Sequence, residues 1–505
     1  MLVVVASIVA SRGLIPTAHP PHGTLDAFWA ATGRQRSFPG ANTSSLYRVF
    51  LSRWTDRING DGGSTAEWAA SEEELFVYEN RVDHRLSEAS YIRPNRSVAF
   101  TSYDAPADAA DAAFSVVTVV AAKEFRRCIL RPSSLRIACD VINRTTAQFR
   151  IPSGATAQLS VELDGETDYV RHVLLVFANP VEAGPPHPMD GGISNDTLYF
   201  GAGVHYLGGQ IPVPAHVTNI YLAPGAYVHG GFITTGPGPV HISGRGVLSG
   251  EMFAFHSPNF TWSLVNMDKG AGHSIQGIVL VDPPQYYFRS YAPDTVVRNV
   301  KMASAWPYNS DGVGVGLGGV VEDTFIRAND DSLKLFGEGM RVRNIVVWQM
   351  ENGGVFQTGW WGAVDRRNIS VDGVDIIHAE WGAFTGRGSD NDAIFDNCGT
   401  TTKTYATSGI TISNVRIEGD VLRLFNILLS AGSTGLFARY TVTNVTLVDG
   451  IVWGTGRIAG AQSGARIDGL AIQNVVIGGV CRDTAQSLNV TVDGQTTGNV
   501  TLTCL

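Results

Sequence analysis

The chain has 505 residues, of which 57 are glycine and only 16% are Asp, Glu, Lys or Arg. With 44% hydrophobic residues it can bury a large core, and its composition is not that of a disordered chain. The net charge of −9 and the absence of a long basic run argue against nucleic acid or an anionic membrane as a partner. They favour an uncharged or weakly charged substrate.

Residues 1–18 are predicted to be a secretory signal peptide. An apolar core from Leu2 to Ala10 is followed by small residues, as in such a peptide, although the usual positively charged start is missing. A run of about nine apolar residues is too short to span a bilayer, so we expect a secreted protein. Secretion is also favoured by nine Asn-x-Ser/Thr sequons, at Asn42, Asn95, Asn143, Asn195, Asn259, Asn368, Asn444, Asn489 and Asn499.

The five cysteines are too few for a disulfide scaffold but fit an oxidising compartment. Two local pairs are predicted, Cys128 with Cys139 and Cys481 with Cys504, which leaves Cys398 as the odd one. No two cysteines form a C-x-x-C pair, so a thiolate zinc site is not expected.

Residues 19–180 are predicted to form an antiparallel β-sandwich. Short alternating runs such as "QFRIPSGATAQLSVEL" (Gln148 to Leu163) are separated there by turn residues. The following segment "NPVEAGPPHPMDGGISND" is rich in Pro and Gly, and residues 181–197 are therefore interpreted as a linker. Residues 198–505 form the second predicted domain.

One short unit recurs throughout this second domain. It consists of alternating apolar residues around an asparagine, at Asn219, Asn299, Asn344, Asn414, Asn444 and Asn474, and the last three are evenly spaced along the chain. A strand-built repeat of this length is typical of a parallel β-helix. Asn suits the tight corner between two strands because it tolerates a left-handed backbone. A long β-sandwich with chance spacing is the alternative.

Three aspartates are spaced by about one coil of this predicted helix. Asp311 in "NSDG" precedes the adjacent Asp330 and Asp331 in "NDDSLK" by the length of a short coil, and stacked coils are about 4.8 Å apart. Crowded carboxylates repel each other, so at least one should have a raised pKa. A protonated carboxyl beside an ionised one is the pairing that glycosidic bond hydrolysis needs. The alternative is that each aspartate only caps a turn.

Other motifs indicate no cofactor or metal. The run "GVGVGLGG" resembles a phosphate-binding loop, but no Lys-Ser/Thr follows it, so turn glycines are the better interpretation. The twelve histidines have no metal-ligand spacing, and His378 is either a subsite residue or a structural one. Tryptophans near the aspartates, Trp306, Trp360 and Trp381, suit a polysaccharide cleft because sugar rings stack on indole, although most tryptophans belong to the core.

Several motifs between Tyr221 and Trp381 carry a family resemblance. "YLAPGAYVHGG", "SGRGVLSGE", "NSDG", "NDDSLK" and "QTGW" follow one another as in glycoside hydrolase family 49, the family of dextranases and isopullulanase, which this chain resembles. The resemblance implies an all-β architecture, a right-handed parallel β-helix catalytic domain preceded by an N-terminal β-sandwich. It also implies endo-hydrolysis of an α-glucan with inversion at the anomeric carbon.

The resemblance also implies residue roles. Asp330 would be the general acid, and Asp311 with Asp331 would activate the water. Lys334 would hold a substrate hydroxyl or tune an aspartate, and Gln357 and Trp360 of "QTGW" would bind substrate. The sequence departs from the family at Arg245, where the family has His, and at Ser310, where Thr is commoner.

Dextran, with its α-1,6 bonds, is the expected substrate, and we expect a monomeric protein whose partner is this polysaccharide. Isopullulanase-type cleavage of α-1,4 bonds in pullulan is one alternative. A second is a polygalacturonase-like enzyme of family 28, but the Gly-His-Gly and Arg-Ile-Lys motifs of that family are absent after Asp331. A third is a β-helix that binds polysaccharide without cleaving it, which would have no need for three repelling carboxylates.

Overall fold

The computed structural model describes most of the chain. The described residues are 41–58, 64–68, 73–81, 96–105, 114–152, 154–164, 171–186, 192–194, 196–305, 309–360, 365–381, 391–397, 404–462 and 464–505. The predicted signal peptide, Trp306 and Cys398 lie outside these residues. Both predicted disulfides are present, Cys128–Cys139 and Cys481–Cys504.

The first eleven strands form two sheets that enclose one core. The first sheet contains β1 (Tyr47–Ile58), β2 (Ser64–Trp68), β3 (Glu73–Leu75), β6 (Phe114–Ala121), β8 (Cys139–Asn143) and β9 (Thr146–Pro152). The second contains β4 (Tyr78–Arg81), β5 (Ser97–Asp104), β7 (Cys128–Arg131), β10 (Ala157–Leu163) and β11 (His172–Asn179). A single 3-10 turn covers Ser133–Leu135.

Alternation along these strands explains the sandwich. Phe149 and Ile151 of β9 point inward together with Leu159 and Val161 of β10 and are buried in a shared apolar core, while Arg150 between them is exposed. All pairs are antiparallel except β5 with β11. The sandwich prediction is confirmed.

The remaining 28 strands belong to one continuous sheet that winds into coils. The strands are β12 (Gly192–Ser194), β13 (Thr197–Phe200), β14 (Gly203–Pro212), β15 (Asn219–Leu222), β16 (Ala226–Ile233), β17 (His241–Gly244), β18 (Val247–Ser249), β19 (Ser263–Asn266), β20 (Ser274–Gln276), β21 (Val279–Val281), β22 (Tyr286–Ser290), β23 (Val296–Arg298), β24 (Lys301–Ala303), β25 (Val313–Val315), β26 (Val320–Ala328), β27 (Leu333–Lys334), β28 (Arg341–Gln349), β29 (Phe356–Gln357), β30 (Arg366–Ala379), β31 (Phe395–Asn397), β32 (Thr407–Ile417), β33 (Phe425–Leu428), β34 (Phe437–Leu447), β35 (Gly456–Ala459), β36 (Ile467–Ile477), β37 (Val480–Arg482), β38 (Val490–Val492) and β39 (Thr497–Thr503).

Parallel pairing between coils produces three faces. The first face runs through β13, β15, β17, β20 and β23, and the second through β14, β16, β18, β21 and β24. From β26 onward, one long strand per coil spans both faces. The third face runs through β19, β22, β25, β27, β29, β31, β33, β35 and β38. The parallel β-helix prediction is confirmed.

The asparagine corners adopt the predicted backbone, with one exception. Asn299, Asn344, Asn414, Asn444 and Asn474 have φ between 52° and 59°, in the left-handed region. Their side chains form a ladder along the helix, since Asn474 Nδ2 donates to Asn444 Oδ1 at 2.9 Å and Asn444 Nδ2 donates to Asn414 Oδ1 at 3.1 Å.

Asn219 was predicted to be a corner of the same kind, and this is wrong. It begins strand β15 and has no positive φ. Its Nδ2 instead donates to the Asp196 carboxylate at 3.3 Å.

The sandwich packs against the second face of the β-helix. Phe100 and Phe177 of the sandwich share a buried cluster with Tyr227, Phe325 and Trp348 of the coils. Among the residues the structure describes, no helix has the length and apolar character needed to cross a membrane.

Candidate active site

The three predicted aspartates come together at the entry to the third face. Asp311 and Asp331 each shortly precede a third-face strand, and these strands pair at Val313 with Leu333. One carboxylate oxygen from each of Asp311, Asp330 and Asp331 lies within 4.8 Å of the others. The residues are only 3%, 7% and 0% exposed, so the carboxylates interact at close range with little solvent screening. We call these three residues the carboxylate cluster.

Lys334 supplies the positive charge within the cluster. Its Nζ is 2.5 Å from Asp311 Oδ2 and 2.6 Å from Asp331 Oδ2. Burial opposes the lysine's charge, but Asp311 and Asp331 outweigh it and raise the pKa of Lys334 well above its usual value. Three carboxylates at this distance could hold a metal cation, but the Lys334 ammonium already contacts two of them and occupies the place between them. The residues therefore fit a lysine-bridged cluster rather than a metal centre.

Asp331 is surrounded by hydrogen-bond donors. Its Oδ1 accepts from Gly354 N at 3.1 Å, Asn391 Nδ2 at 3.1 Å and Gln357 Nε2 at 3.3 Å, and its Oδ2 accepts from Lys334. Asp331 thus accepts four hydrogen bonds, and the one from Lys334 is charge-assisted.

Asp330 has a different environment. Its Oδ1 accepts from Asp331 N at 2.8 Å and its Oδ2 from Asn352 Nδ2 at 2.6 Å. Burial and then the charges of Asp311 and Asp331 raise the pKa of Asp330 well above its usual value. The environment of Asp330 therefore favours its protonated form.

Asp311 lies between these two cases. Burial and the charge of Asp331 raise its pKa to about 7, against the opposing effect of Lys334. Its Oδ1 is buried and has no hydrogen-bond partner among the described residues. This oxygen is free to accept a hydrogen bond from a water or a substrate hydroxyl. The expectation of a raised carboxyl pKa is confirmed for Asp311 and Asp330.

The cluster oxygens are closer together than the carboxyl groups of most inverting glycosidases, which are roughly 6.5–9.5 Å apart. One oxygen from each of the three carboxylates lies within 4.8 Å of the others, as expected for aspartates on stacked coils. The short distances follow from the β-helix, because adjacent coils place Asp311 and Asp331 one strand spacing apart.

A tight backbone contact fixes the Asp330–Asp331 peptide. Gly353 of the next coil has φ 88°, and a Cβ there would lie 2.1 Å from Asp330 C and 2.2 Å from Asp331 N. Trp381 Nε1 donates to the Gly353 carbonyl at 2.7 Å. Trp381 thus supports the peptide that carries both aspartates.

Some of the other predicted residues join the cluster. Lys334 contacts two aspartates, and Gln357 donates to Asp331 and to Asp396 Oδ1 at 3.0 Å. Gln357 is fully buried, so it holds Asp331 in place from the protein interior. Trp360 is partly exposed, and its carbonyl accepts from Tyr405 Oη at 2.6 Å.

Two predicted sugar-binding residues are placed elsewhere. Trp381 is only 2% exposed and offers no ring face to a substrate. Its indole N–H is hydrogen-bonded to the Gly353 carbonyl, so its role is to support the backbone at Gly353. His378 lies on β30, where its Nε2 is 2.5 Å from Glu162 Oε1 of the sandwich and its ring packs on Trp348. His378 therefore joins the two parts of the chain. Arg245 likewise contacts the sandwich, through Asp104 Oδ1 at 2.5 Å.

Sequence reasoning missed Asn352, Asn391 and Tyr286. Tyr286 lies one coil before Asp311 on the third face, and its ring centroid is 5.0 Å from Lys334 Nζ. Asp311 and then burial raise the pKa of Tyr286 strongly. The coil spacing could have found Tyr286, because it precedes Asp311 in the sequence by about the length of one coil.

The chain was compared with known proteins. No model of a protein family matches it. A dextranase of Arthrobacter globiformis is 27% identical over 367 residues, covering 57% of each chain. An isopullulanase of Aspergillus niger is 27% identical over 358 residues, covering 59% of this chain and 63% of the isopullulanase. The chain thus spans less than two thirds of the length of these relatives.

A solved structure agrees with the architecture. Dex49A from Penicillium minioluteum superimposes with a TM-score of 0.73 at 20% sequence identity, covering 92% of this chain and 95% of that one. At this identity the likeness shows a shared fold. A dextranase of Talaromyces minioluteus is 24% identical over 428 residues, covering 70% of this chain and 69% of that protein.

Proposed function

We propose that this chain belongs to glycoside hydrolase family 49 and is an endo-acting hydrolase of an α-glucan, with the α-1,6 bonds of dextran as its substrate. The observation that carries the proposal is the buried carboxylate cluster, in which Asp330, with a pKa raised well above its usual value, lies beside Asp331, which accepts a hydrogen bond from Lys334. The relatives named dextranase and isopullulanase support the choice of an α-glucan.

Each carboxyl has a distinct role in the proposed reaction. Asp330 donates its proton to the glycosidic oxygen as the bond to the anomeric carbon breaks. Asp331 and the free Oδ1 of Asp311 hold a water and take its proton as it attacks. Lys334 lies between Asp311 and Asp331 and opposes the rise that burial causes in the pKa of Asp311.

We propose that the reaction inverts the anomeric configuration. In a retaining reaction one carboxylate must attack the anomeric carbon itself. Asp331 accepts four hydrogen bonds that engage both of its oxygens and hinder their direct attack on the anomeric carbon, whereas the unpartnered Oδ1 of Asp311 can position a water. The short oxygen distances of the cluster are then a consequence of coil stacking rather than a sign of a covalent intermediate.

The unfavourable free energy of burying three carboxylates together argues against a function in binding alone. Burying carboxylates side by side is unfavourable, and neutral polysaccharide could be bound without them. Two disulfides fit an oxidising compartment, and we propose that the protein acts outside the cell as a monomer.

The test is reducing-sugar release from dextran, pullulan and polygalacturonate by the wild-type protein and by the Asp330→Asn variant. We expect release from dextran by the wild type and almost none by the variant. Release of isopanose from pullulan alone would move the assignment to isopullulanase. Release from polygalacturonate alone, or equal rates for the two proteins on dextran, would refute the proposal.

A further inference from the structure

Aromatic side chains lead away from the carboxylate cluster along the third face. Tyr287 N donates to the Asp311 carbonyl at 2.8 Å, and Tyr286 N donates to the Trp262 carbonyl at 3.1 Å, so these residues occupy successive coils. The ring centroids of Trp262 and Tyr286 are 6.3 Å apart. With coils about 4.8 Å apart, Trp262 lies roughly 10 Å from Asp311 along the helix axis.

Trp262 has an unusual backbone for a bulky residue. Its φ is 64°, and Ser263 N donates to the Thr261 carbonyl at 2.8 Å across it. Such a strained conformation costs about 1–3 kcal/mol and clusters at functional sites. Thr261 anchors the turn, because its N–H donates to Gln210 Oε1 at 2.9 Å and its carbonyl accepts from Asn266 Nδ2 at 3.1 Å.

The indole that this turn presents is 51% exposed, so burial does not offset the strain. Beside it, the Arg289 guanidinium carbon is 5.3 Å from the Trp262 ring centroid and 4.4 Å from that of Tyr291. Arg289 Nη2 is 2.8 Å from Asp268 Oδ2. The rings are therefore held by cation–π contacts to an arginine whose charge is already paired, which suits an uncharged sugar better than a polyanion.

A glycine without a side chain, Gly314, lies on the third face between this aromatic surface and the carboxylate cluster. In the pairing of third-face strands, Gly314 lies between Arg289 and Lys334. A Cβ on Gly314 would meet only Lys334 Cβ and Cδ, both at 3.7 Å, which is ordinary contact, and the backbone there is not left-handed. At Gly312, by contrast, a Cβ would lie 2.2 Å from the Ser332 carbonyl oxygen. Backbone packing thus requires Gly312 but not Gly314.

We propose that Trp262, supported by Tyr286, Arg289 and Tyr291, is the stacking platform of a distal sugar subsite. One ring of a neutral α-glucan packs its C–H face on the indole, and the chain crosses Gly314 to reach the carboxylate cluster. The proposal rests on the proposed function for the identity of the glucan. Its binding test below does not depend on cleavage.

The first experiment measures retardation in native gels that contain dextran or pullulan. The parent is Asp330→Asn, which prevents cleavage, and Trp262→Ala and Trp453→Ala are added to it. Trp453 is the matched control, since it is also 51% exposed but lies on a coil beyond the cluster. We expect Trp262→Ala to weaken binding about tenfold, as for loss of one large apolar contact, and Trp453→Ala to leave it unchanged. Equal retardation of both variants, or no retardation of the parent by either glucan, would overturn the inference.

The second experiment uses the active enzyme and Gly314→Val. A β-branched residue suits a strand better than glycine, so the melting temperature should not fall, while KM for dextran should rise at least tenfold. Unchanged KM would overturn the path across Gly314. A wild-type enzyme that cleaves dextran while Trp262→Ala keeps its affinity would refute this inference alone. A wild-type protein that binds dextran through Trp262 without cleaving it would refute the proposed function alone.

Discussion

Lys334→Met is the perturbation that most directly tests the electrostatics of the cluster. The substitution removes an ammonium 2.5 Å from Asp311 Oδ2 and 2.6 Å from Asp331 Oδ2 while keeping most of the side-chain volume. Removing one partner of a buried ion pair costs about 3–5 kcal/mol, which corresponds to roughly two to four pKa units. Asp311, whose pKa is already raised to about 7, should then stay protonated throughout the neutral range.

The proposed water-activating pair would lose one of its carboxylates. General-base assistance contributes about 10²- to 10⁴-fold, so kcat/KM for dextran at pH 6 should fall by that order. The acidic limb of the pH profile should move to higher pH by about two units or more. The assay is kcat/KM from pH 4 to pH 9.

Lys301→Met is the matched control. Lys301 is also fully buried, but its Nζ contacts Asn179 Oδ1 and the Asn299 carbonyl. This variant should lose stability without changing the pH profile. If folded Lys334→Met has the same pH profile as the control, Lys334 does not set the ionisation of the cluster.

Three further predictions concern the effect of the carboxylate cluster on stability and the residues that hold the cluster in place. Because the pKa of Asp311 is raised to about 7, the contribution of Asp311 to stability is most favourable below about pH 4 and is lost as the pH rises toward 7. Between pH 4 and pH 7 the urea midpoint of Asp311→Asn should therefore rise relative to that of the wild type. A constant difference between the two midpoints would contradict this. Trp381→Phe should lower the free energy of unfolding by about 1 kcal/mol, because the hydrogen bond to Gly353 is lost, and should also lower kcat. The control Trp348→Phe loses a hydrogen bond to Glu380 and should lower stability only. Equal kcat values for the two variants would exclude a positioning role for Trp381. Gly353→Ala should abolish activity because the new Cβ would overlap the Asp330–Asp331 peptide. The control Gly373→Ala has a similar φ of 72° and no atom closer than 3.7 Å to the new Cβ, so it should remain active. An active Gly353→Ala variant would refute the close contact at Gly353.

The regular parts of the molecule could be predicted from the sequence. Asn414, Asn444 and Asn474 recur at equal spacing because each must turn a left-handed corner of one coil. The same regularity predicted that Asp311 and Asp331 would stack, and the pairing of Val313 with Leu333 places them on neighbouring coils. Periodicity carries this information because a β-helix places residues one coil apart next to each other in space.

Side chains at irregular positions could not be placed in this way. Asn391 donates to Asp331 although the two are far apart in the sequence, because the coil from Phe356 to its pairing partner Phe395 is longer than the coil from Leu333 to Phe356. His378 follows a register shift between β28 and β30, where Val347 pairs with Ile376 but Trp348 pairs with His378. Such an irregularity changes which residues face each other across the strands. Nothing in the spacing of "VDIIHAEW" reveals it.

Proton NMR of the products of dextran cleavage, recorded from the first minutes of the reaction, tests the proposed roles of Asp330 and Asp331. We expect new reducing ends that appear first as the β-anomer, because water attacks an α-linkage from the opposite face. With Asp330→Asn we expect no new reducing ends. Initial appearance of the α-anomer would show a covalent intermediate and contradict the proposed role of Asp331. Unchanged cleavage by Asp330→Asn would contradict the acid role of Asp330.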